Sequence, residues 1–157
     1  MALEIERKFL VQDGWRPEVP GERIAQGYLA RSETAVVRVR LRGGKGFITV
    51  KGLADGVSRL EYEYEVPWQD AEEMLRLCEG PRIEKERHLL PAGDHKHTWE
   101  VDVFHGNNEG LVVAEIELES EAEDFPKPEW LREEVSDDVR YYNCNLAEHP
   151  YTEWSNS

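Results

Sequence analysis

The segment Val37-Arg38-Val39-Arg40-Leu41-Arg42 alternates apolar and basic residues without a break. Successive side chains of a β-strand point to opposite faces of the sheet, so this period of two predicts a strand with one apolar face and one basic face. The two faces of such a strand must meet different surroundings. The rest of the chain decides what those surroundings are.

The same alternation recurs on both sides of this segment. It predicts eight strands, at 3–11, 24–31, 35–43, 46–52, 59–67, 82–90, 97–104 and 111–119. The breaks between them include Gly43-Gly44 and Asp55-Gly56, which suit tight turns. Eight short strands with mostly short connections favour a sheet that closes on itself.

Three other segments have helical spacing. A helix is predicted over 70–79, with Asp70 as its N-cap, and the tail is predicted to hold short helices at 128–134 and 137–148, the second capped by Ser136. The predicted fold is mainly β: a closed eight-stranded antiparallel β-barrel with a few flanking helices and a C-terminal helical segment. Residues 1–157 form a single domain in this interpretation.

Charged residues are sorted by strand. The arginines of the third strand contrast with carboxylates on the first, seventh and eighth strands: Glu4, Glu6, Glu100, Asp102, Glu115 and Glu117. A solvated sheet face would gain little from this sorting, because exposed ion pairs contribute only ~0–1 kcal/mol. We therefore expect the charged faces to line a tunnel and the apolar faces to pack outward against the helices and the tail.

The chemistry of such a tunnel follows from its side chains. Several carboxylates on neighbouring strands favour a hard divalent cation, Mg²⁺ or Mn²⁺ rather than Zn²⁺. Arginine and lysine across the cavity hold phosphate oxygens, arginine often in bidentate geometry. The ligand that these two sets imply together is a multiply charged chain of phosphates.

The amino-acid composition argues against some classes of binding partner. Nineteen basic and 33 acidic residues give a formal net charge of −14, which repels nucleic acid and anionic lipid, so neither is an expected partner. No apolar run approaches the ~20 residues needed to span a membrane. Cys78 and Cys144 fit no metal or redox spacing and are read as reduced thiols of a cytoplasmic protein, with a disulfide left open. A monomer and a homodimer are both compatible with the sequence.

The N-terminal segment Glu4-Ile5-Glu6-Arg7-Lys8 matches the pattern Glu-x-Glu-x-Lys. This pattern is the signature of the triphosphate tunnel metalloenzymes, or CYTH superfamily, and the chain resembles the short bacterial members over essentially its whole length. Later segments resemble the successive strand motifs of that family: Gln26–Leu29, Val37–Arg40, Thr49–Gly52, Arg59–Glu63, Ile83–Arg87, Glu100–Phe104 and Ala114–Glu117.

The resemblance implies a role for each matching residue. The implied metal ligands are Glu4, Glu6, Glu115 and Glu117, with Asp102 as a further ligand or as a group behind the ligands. The implied phosphate contacts are Lys8, Arg38, Arg40, Lys51, Arg59, Lys85, Arg87 and Arg140. The candidates for catalytic roles are Tyr28, Lys8 and Glu63. For Tyr28 a hydrogen bond inside the barrel wall is the alternative, and for Arg140 an ion pair in the tail.

The family also implies an activity. We expect metal-dependent hydrolysis of inorganic tripolyphosphate to pyrophosphate and phosphate, with a small-molecule triphosphate as the substrate. Three alternatives stay open on the sequence: a class IV adenylyl cyclase, a thiamine or nucleoside triphosphatase, and a polyphosphate-binding module without turnover.

Overall fold

The computed structural model describes the backbone of residues 3–156 and the side chains of residues 3–154. These residues form nine strands: β1 Leu3–Val11, β2 Glu22–Arg31, β3 Ala35–Arg42, β4 Lys45–Gly52, β5 Ser58–Val66, β6 Ile83–Pro91, β7 Thr98–His105, β8 Val112–Glu117 and β9 Leu131–Glu134. The α-helices are α1 Trp68–Leu75 and α2 Asn143–Glu148, and short 3₁₀ helices lie at Gly106–Asn108, Val139–Tyr141 and Tyr151–Asn156. No helix within the described part of the chain is both long and apolar enough to cross a membrane.

The first eight strands close into a barrel. Hydrogen-bonded neighbours follow the order β5-β4-β3-β2-β6-β7-β8-β1, and β1 then pairs with β5 through Leu3 and Leu60. Every pairing is antiparallel. The predicted eight-stranded barrel is therefore confirmed, and the predicted strand ends lie within two residues of the observed ones.

The prediction of a helix over 128–134 was wrong. Leu131–Glu134 is strand β9, which pairs with the end of β1, Phe9 opposite Glu134 and Val11 opposite Leu131. The pairing of β1 with β5 ends at Ile5, so the later backbone groups on that edge of β1 need other partners. The need to satisfy them overrides the local helix preference of this acidic segment.

The other two predicted helices are shorter than expected. Helix α1 begins after Pro67, so Asp70 lies in its first turn and is not the N-cap; there its carboxylate still favours the positive end of the helix dipole. In the tail, Tyr142 has an extended backbone and separates a 3₁₀ turn from α2. Ser136 caps neither; its hydroxyl accepts a hydrogen bond from the Lys8 backbone N–H at 2.9 Å.

Three apolar clusters cover most of the outside of the barrel. Phe9, Trp99 and Phe125 pack edge to face where the segment after β8 crosses β1 and β7. The C-terminal tail covers β6, β7 and β8, and α1 packs on β2, β3 and the start of β4. Cys78 and Cys144 are both free thiols, as predicted.

Candidate active site

The inside of the barrel is a polar cavity of about 210 Å³. Of the residues predicted to form the site, thirteen line it: Glu4, Glu6, Lys8, Tyr28, Arg38, Arg40, Lys51, Arg59, Glu63, Lys85, Arg87, Glu115 and Glu117. The period of two along each strand turns these side chains inward and the alternate residues outward. The barrel thus reverses the usual arrangement, with its charges inside.

Strand β3 supplies two buried arginines. Arg38 and Arg40 are both buried. Arg38 donates one hydrogen bond to Thr49 Oγ1 at 3.2 Å, and its Nε has no hydrogen-bond partner among the described residues. Arg40 Nε donates to Gln26 Oε1 at 2.7 Å. A buried guanidinium with an unused N–H is costly unless an anion satisfies it, which favours a bound phosphate in this cavity.

Strand β6 supplies two further cations, which one carboxylate holds in place. Asp102 on β7 accepts Lys85 Nζ at 2.7 Å and both Nε and Nη2 of Arg87 at 2.8 and 2.9 Å. Burial opposes the charge of Asp102, but Arg87 and Lys85 outweigh it and hold its pKa below the usual range. Asp102 is fully buried and does not line the cavity. It contacts Lys85 and Arg87 on the side of these two cations that faces away from the open cavity.

A cluster of three carboxylates lies across the cavity. Glu6, Glu100 and Glu115 each place a carboxylate oxygen within 4.8 Å of the others. Burial, together with nearby Glu115 and Glu4, raises the pKa of Glu6 well above its usual value. Burial opposes ionisation of Glu115 as well, but Lys8 and other cations lower its pKa to about 2. Oxygen ligands at this spacing fit a hard divalent cation, which would offset their mutual repulsion.

Glu4 takes part in a separate ion-pair network. Lys51 Nζ lies 3.2 Å from Glu4 Oε1 and 3.1 Å from Glu61 Oε2. Burial raises the pKa of Glu4 to about 7, against the opposing effect of Lys51. Burial and Arg38 act to lower the pKa of Lys51, but Glu4, Glu6 and Glu61 outweigh them and raise it.

The C-terminal tail forms one end of the cavity. Lys8 Nζ donates to the carbonyl of Tyr141 at 3.1 Å and lies 3.7 Å from Glu115. Lys85 Nζ donates to Asn143 Oδ1 at 3.0 Å, and Tyr142 lines the cavity beside Asn143. Tail residues were absent from the predicted lining, apart from Arg140. Their position depends on how the tail folds back, which no local pattern encodes.

Three predicted residues complete the wall. Arg59 donates two hydrogen bonds to the carbonyl of Gly52, at 3.0 and 2.7 Å. Burial raises the pKa of Tyr28 above its usual value, so its phenol stays protonated at neutral pH. Glu63 lines the cavity with an exposed side chain.

The observed lining differs from the predicted site at two residues. Arg140 is outside the tunnel, where its guanidinium bonds Asp138 at 2.6 Å. Glu100, which the predicted site omitted, lies in the acidic cluster. Its signal was present in the sequence: Glu100 shares a strand face with Asp102, and it stands opposite Glu115 in the β7–β8 pairing.

Fold and site together define a closed β-barrel tunnel with a cationic wall and an acidic cluster that fits a divalent cation. The family model described as CYTH domain matches residues 2–148. The chain belongs to the CYTH family.

Relatives with known names align over nearly the whole chain. The inorganic triphosphatase of Acetivibrio thermocellus is 49% identical over 153 residues, covering 96% of this chain and 97% of the relative. The inorganic triphosphatase of Nitrosomonas europaea is 40% identical, covering 92% and 96%. A crystal structure of an inorganic triphosphatase, 35% identical, superposes with a TM-score of 0.66 over 94% of this chain and 95% of its own.

Proposed function

We propose that this protein hydrolyses inorganic tripolyphosphate to pyrophosphate and phosphate in a reaction that depends on a divalent metal ion. The observation that carries the proposal is the division of one enclosed cavity into a cationic wall, centred on Arg38 and Arg40, and the carboxylate cluster of Glu6, Glu100 and Glu115. A linear triphosphate matches this division, because it is long, highly charged and able to bind a cation along its length. The names of the two aligned relatives support the same substrate.

The basic side chains hold and orient the phosphate chain. Arg38 offers the unused N–H of Nε, and Arg87 is held in one orientation by Asp102 and Glu100. Side chains held in this way need little reorganisation when negative charge builds up on the transferring phosphoryl oxygens. Lys8, Lys51 and Lys85 add charge at other points of the tunnel.

The acidic cluster holds the metal ion. Glu6, Glu100 and Glu115 are the proposed ligands, with Glu4 and Glu117 as further candidates on the same cavity wall. A set of carboxylate oxygens without nitrogen or sulfur favours Mg²⁺ or Mn²⁺. When bound there, the ion polarises phosphoryl oxygens as a Lewis acid.

Tyr28 and Glu63 are the proposed proton-handling groups. The raised pKa of Tyr28 keeps its phenol protonated, so it suits donating a hydrogen bond to a phosphate oxygen and not the role of a base. Glu63 lines the same cavity and can accept a hydrogen bond from an attacking water. Asp102 is proposed as a positioning residue, because it reaches the cavity only through Lys85 and Arg87.

Phosphate release tests the proposal directly. Wild type, Glu6→Gln and the control Glu33→Gln are assayed on tripolyphosphate, ATP and thiamine triphosphate with Mg²⁺, Mn²⁺ or EDTA. Glu33 is exposed in the turn between β2 and β3, so its variant controls for the loss of one charge.

We expect rapid metal-dependent release from tripolyphosphate that drops by about 10²–10³ in Glu6→Gln and persists in Glu33→Gln. Release from ATP or thiamine triphosphate at a higher kcat/KM would overturn the choice of substrate. No release from any of the three compounds with any metal would overturn the hydrolase, and formation of cyclic AMP from ATP would then identify a cyclase.

A further inference from the structure

The side chain of Asn143 joins the C-terminal tail to the cationic wall of the tunnel. Asn143 lies in α2 and lines the cavity. Its Oδ1 accepts a hydrogen bond from Lys85 Nζ at 3.0 Å and another from Gln26 Nε2 at 3.1 Å. One oxygen atom of the tail therefore bonds two different strands of the barrel, β6 and β2.

Two cations determine which way the amides of Gln26 and Asn143 point. Arginine and lysine side chains donate hydrogen bonds and cannot accept them. Gln26 must therefore present Oε1 to Arg40 Nε, which lies 2.7 Å away, and this leaves Nε2 of Gln26 to donate to Asn143. In the same way, Lys85 requires the oxygen of the Asn143 amide on its side. The positions of oxygen and nitrogen in both amides thus follow from their donor-only neighbours.

This orientation leaves the amide nitrogen of Asn143 for the cavity. Within residues 3–154, whose side chains the structure describes, Asn143 Nδ2 has no hydrogen-bond partner. Gln26 is fully buried and Lys85 is 1% exposed, so the two groups that hold Oδ1 are themselves fixed by packing. The half-buried amide therefore offers an N–H group of fixed direction at the wall of a cavity that suits phosphate.

A neutral donor suits this position better than another cation would. Positive charges are already crowded in the wall: burial, followed by Arg38 and Arg87, lowers the pKa of Arg40 to about 9. An amide N–H adds a directed hydrogen bond to a phosphate oxygen without adding to this repulsion.

We propose that Asn143 is a further substrate-binding residue, whose Nδ2 donates a hydrogen bond to a phosphate oxygen at the end of the tunnel that the tail forms. The inference rests on the proposed function for the class of ligand, a linear triphosphate. The ammonium groups of Lys8 and Lys85 both bond the tail, at Tyr141 and at Asn143. Phosphate oxygens that these two cations attract are thereby brought to the Asn143 amide.

Binding of tripolyphosphate, measured by calorimetry in EDTA, tests the inference without turnover. The proteins are wild type, Asn143→Asp, Asn143→Ala and the control Asn107→Asp. Asn143→Asp keeps an oxygen for Lys85 and Gln26 but replaces the N–H donor with a negatively charged acceptor. Asn107 is exposed in the 3₁₀ helix after β7 and lies outside the tunnel lining, so its variant controls for the added charge.

We expect both Asn143 variants to raise the Kd for tripolyphosphate at least about tenfold, because a hydrogen bond to a charged oxygen is lost. Asn107→Asp should bind within about twofold of wild type. The melting temperature of Asn143→Asp should not fall below that of wild type, because Lys85 keeps its acceptor. An unchanged Kd in Asn143→Ala with a lowered melting temperature would make Asn143 a structural residue and overturn the inference.

A second comparison separates direct contact from an effect through Lys85. Lys85→Met and the double variant Lys85→Met with Asn143→Ala are titrated in the same way. If Asn143 acted only by orienting Lys85, its replacement would have no effect once Lys85 is removed. We expect a further loss of affinity of at least about fivefold in the double variant. Equal Kd values in these two proteins would overturn the direct contact.

Failure of this inference is distinct from failure of the proposed hydrolysis. A wild type that binds no tripolyphosphate in EDTA would overturn the inference, whatever its activity with metal. A wild type that binds tripolyphosphate and responds to the Asn143 variants as expected, but releases no phosphate with Mg²⁺ or Mn²⁺, would support the inference and overturn the hydrolase.

Discussion

Asp102 accepts Arg87 Nε and Nη2 at 2.8 and 2.9 Å from the inward face of β7, where it is buried and does not line the cavity. The same carboxylate lies 2.7 Å from Lys85 Nζ, and both Asp102 and Lys85 are almost completely buried. Two cations of the tunnel therefore share one buried counter-charge, and Arg87 Nη1 also bonds Glu100 Oε2 at 3.2 Å. Their orientation toward the substrate depends on a residue that does not touch it.

Replacing this carboxylate is expected to affect stability and substrate binding together. Asp102→Asn removes the carboxylate that pairs with Lys85 and leaves Arg87 with its bond to Glu100 at 3.2 Å. Because a buried cation then loses its counter-charge, the free energy of unfolding should fall by about 3–5 kcal/mol. In the folded fraction, the KM for tripolyphosphate should rise more than kcat falls, because Lys85 and Arg87 lose their fixed orientation. Urea denaturation and steady-state kinetics measure the two effects.

Asp138→Asn is the matched control. Asp138 makes the same kind of bond to Arg140, at 2.6 Å, but 61% of the Arg140 side chain is exposed. Solvent screens that pair, so stability and KM should change little. An equal loss of stability in the two variants, or an unchanged KM in Asp102→Asn, would contradict the positioning role.

Glu100 is predicted to be a metal ligand. Glu100→Gln keeps the shape of the side chain but removes one charge from the cluster with Glu6 and Glu115. The affinity for Mn²⁺ measured by calorimetry should fall at least about tenfold, and the rise in melting temperature on adding Mn²⁺ should shrink accordingly.

The control for that experiment is Glu84→Gln. Glu84 is exposed on β6, and it lies outside the tunnel cavity. Both variants lose one negative charge, so non-specific attraction of Mn²⁺ falls equally. Equal affinities in the two variants would exclude Glu100 from the metal site.

His97 is expected to make stability depend on pH. The His97 ring, 5% exposed, bonds Asp94 Oδ2 at 2.5 Å through Nδ1 and also bonds Glu123 through Nε2; Lys96 lies 3.5 Å from the same Glu123 carboxylate. The bond to Asp94 and then the bond to Glu123 raise the pKa of His97. The backbone N–H of His97 and then the His97 ring lower the pKa of Asp94, and the backbone N–H of Glu119 and then the His97 ring lower the pKa of Glu123.

The sign of the effect follows from these directions. The contribution of charged His97 is complete below its unfolded pKa of about 6.5 and is lost as pH rises through the higher folded value. The contribution of the two carboxylates is complete above about pH 4.3 and is lost as pH falls through their lower folded values. The difference in melting temperature between wild type and His97→Gln should therefore be largest between about pH 4.5 and 6.5.

His95→Asn is the control, since His95 is exposed in the same loop with φ of 60°, which asparagine tolerates. Its melting temperature should follow that of wild type across the pH range. A difference between wild type and His97→Gln that grows from pH 6.5 to pH 9 would reverse the predicted sign.

Most of the site residues that were predicted correctly were found from the alternation of side chains along the strands. Glu4 and Glu6, like Arg38 and Arg40, are two residues apart on strands that were identified from alternation alone, and all four line the tunnel. The sequence did not separate Glu100 from Asp102, because both share one strand face. One lies in the acidic cluster and the other behind Lys85 and Arg87.

The sequence by itself determined the eight barrel strands and the face that each turns inward, because side-chain alternation is a local property of the backbone. Only the tertiary structure decided which inward residues meet, since closure of the barrel sets the stagger between neighbouring strands and brings Glu6 beside Glu100. It also decided that Leu131–Glu134 is a strand, because the open edge of β1 required backbone partners. The local sequence pattern specifies which face of a strand a side chain occupies, and closure of the sheet specifies the distances between side chains on different strands.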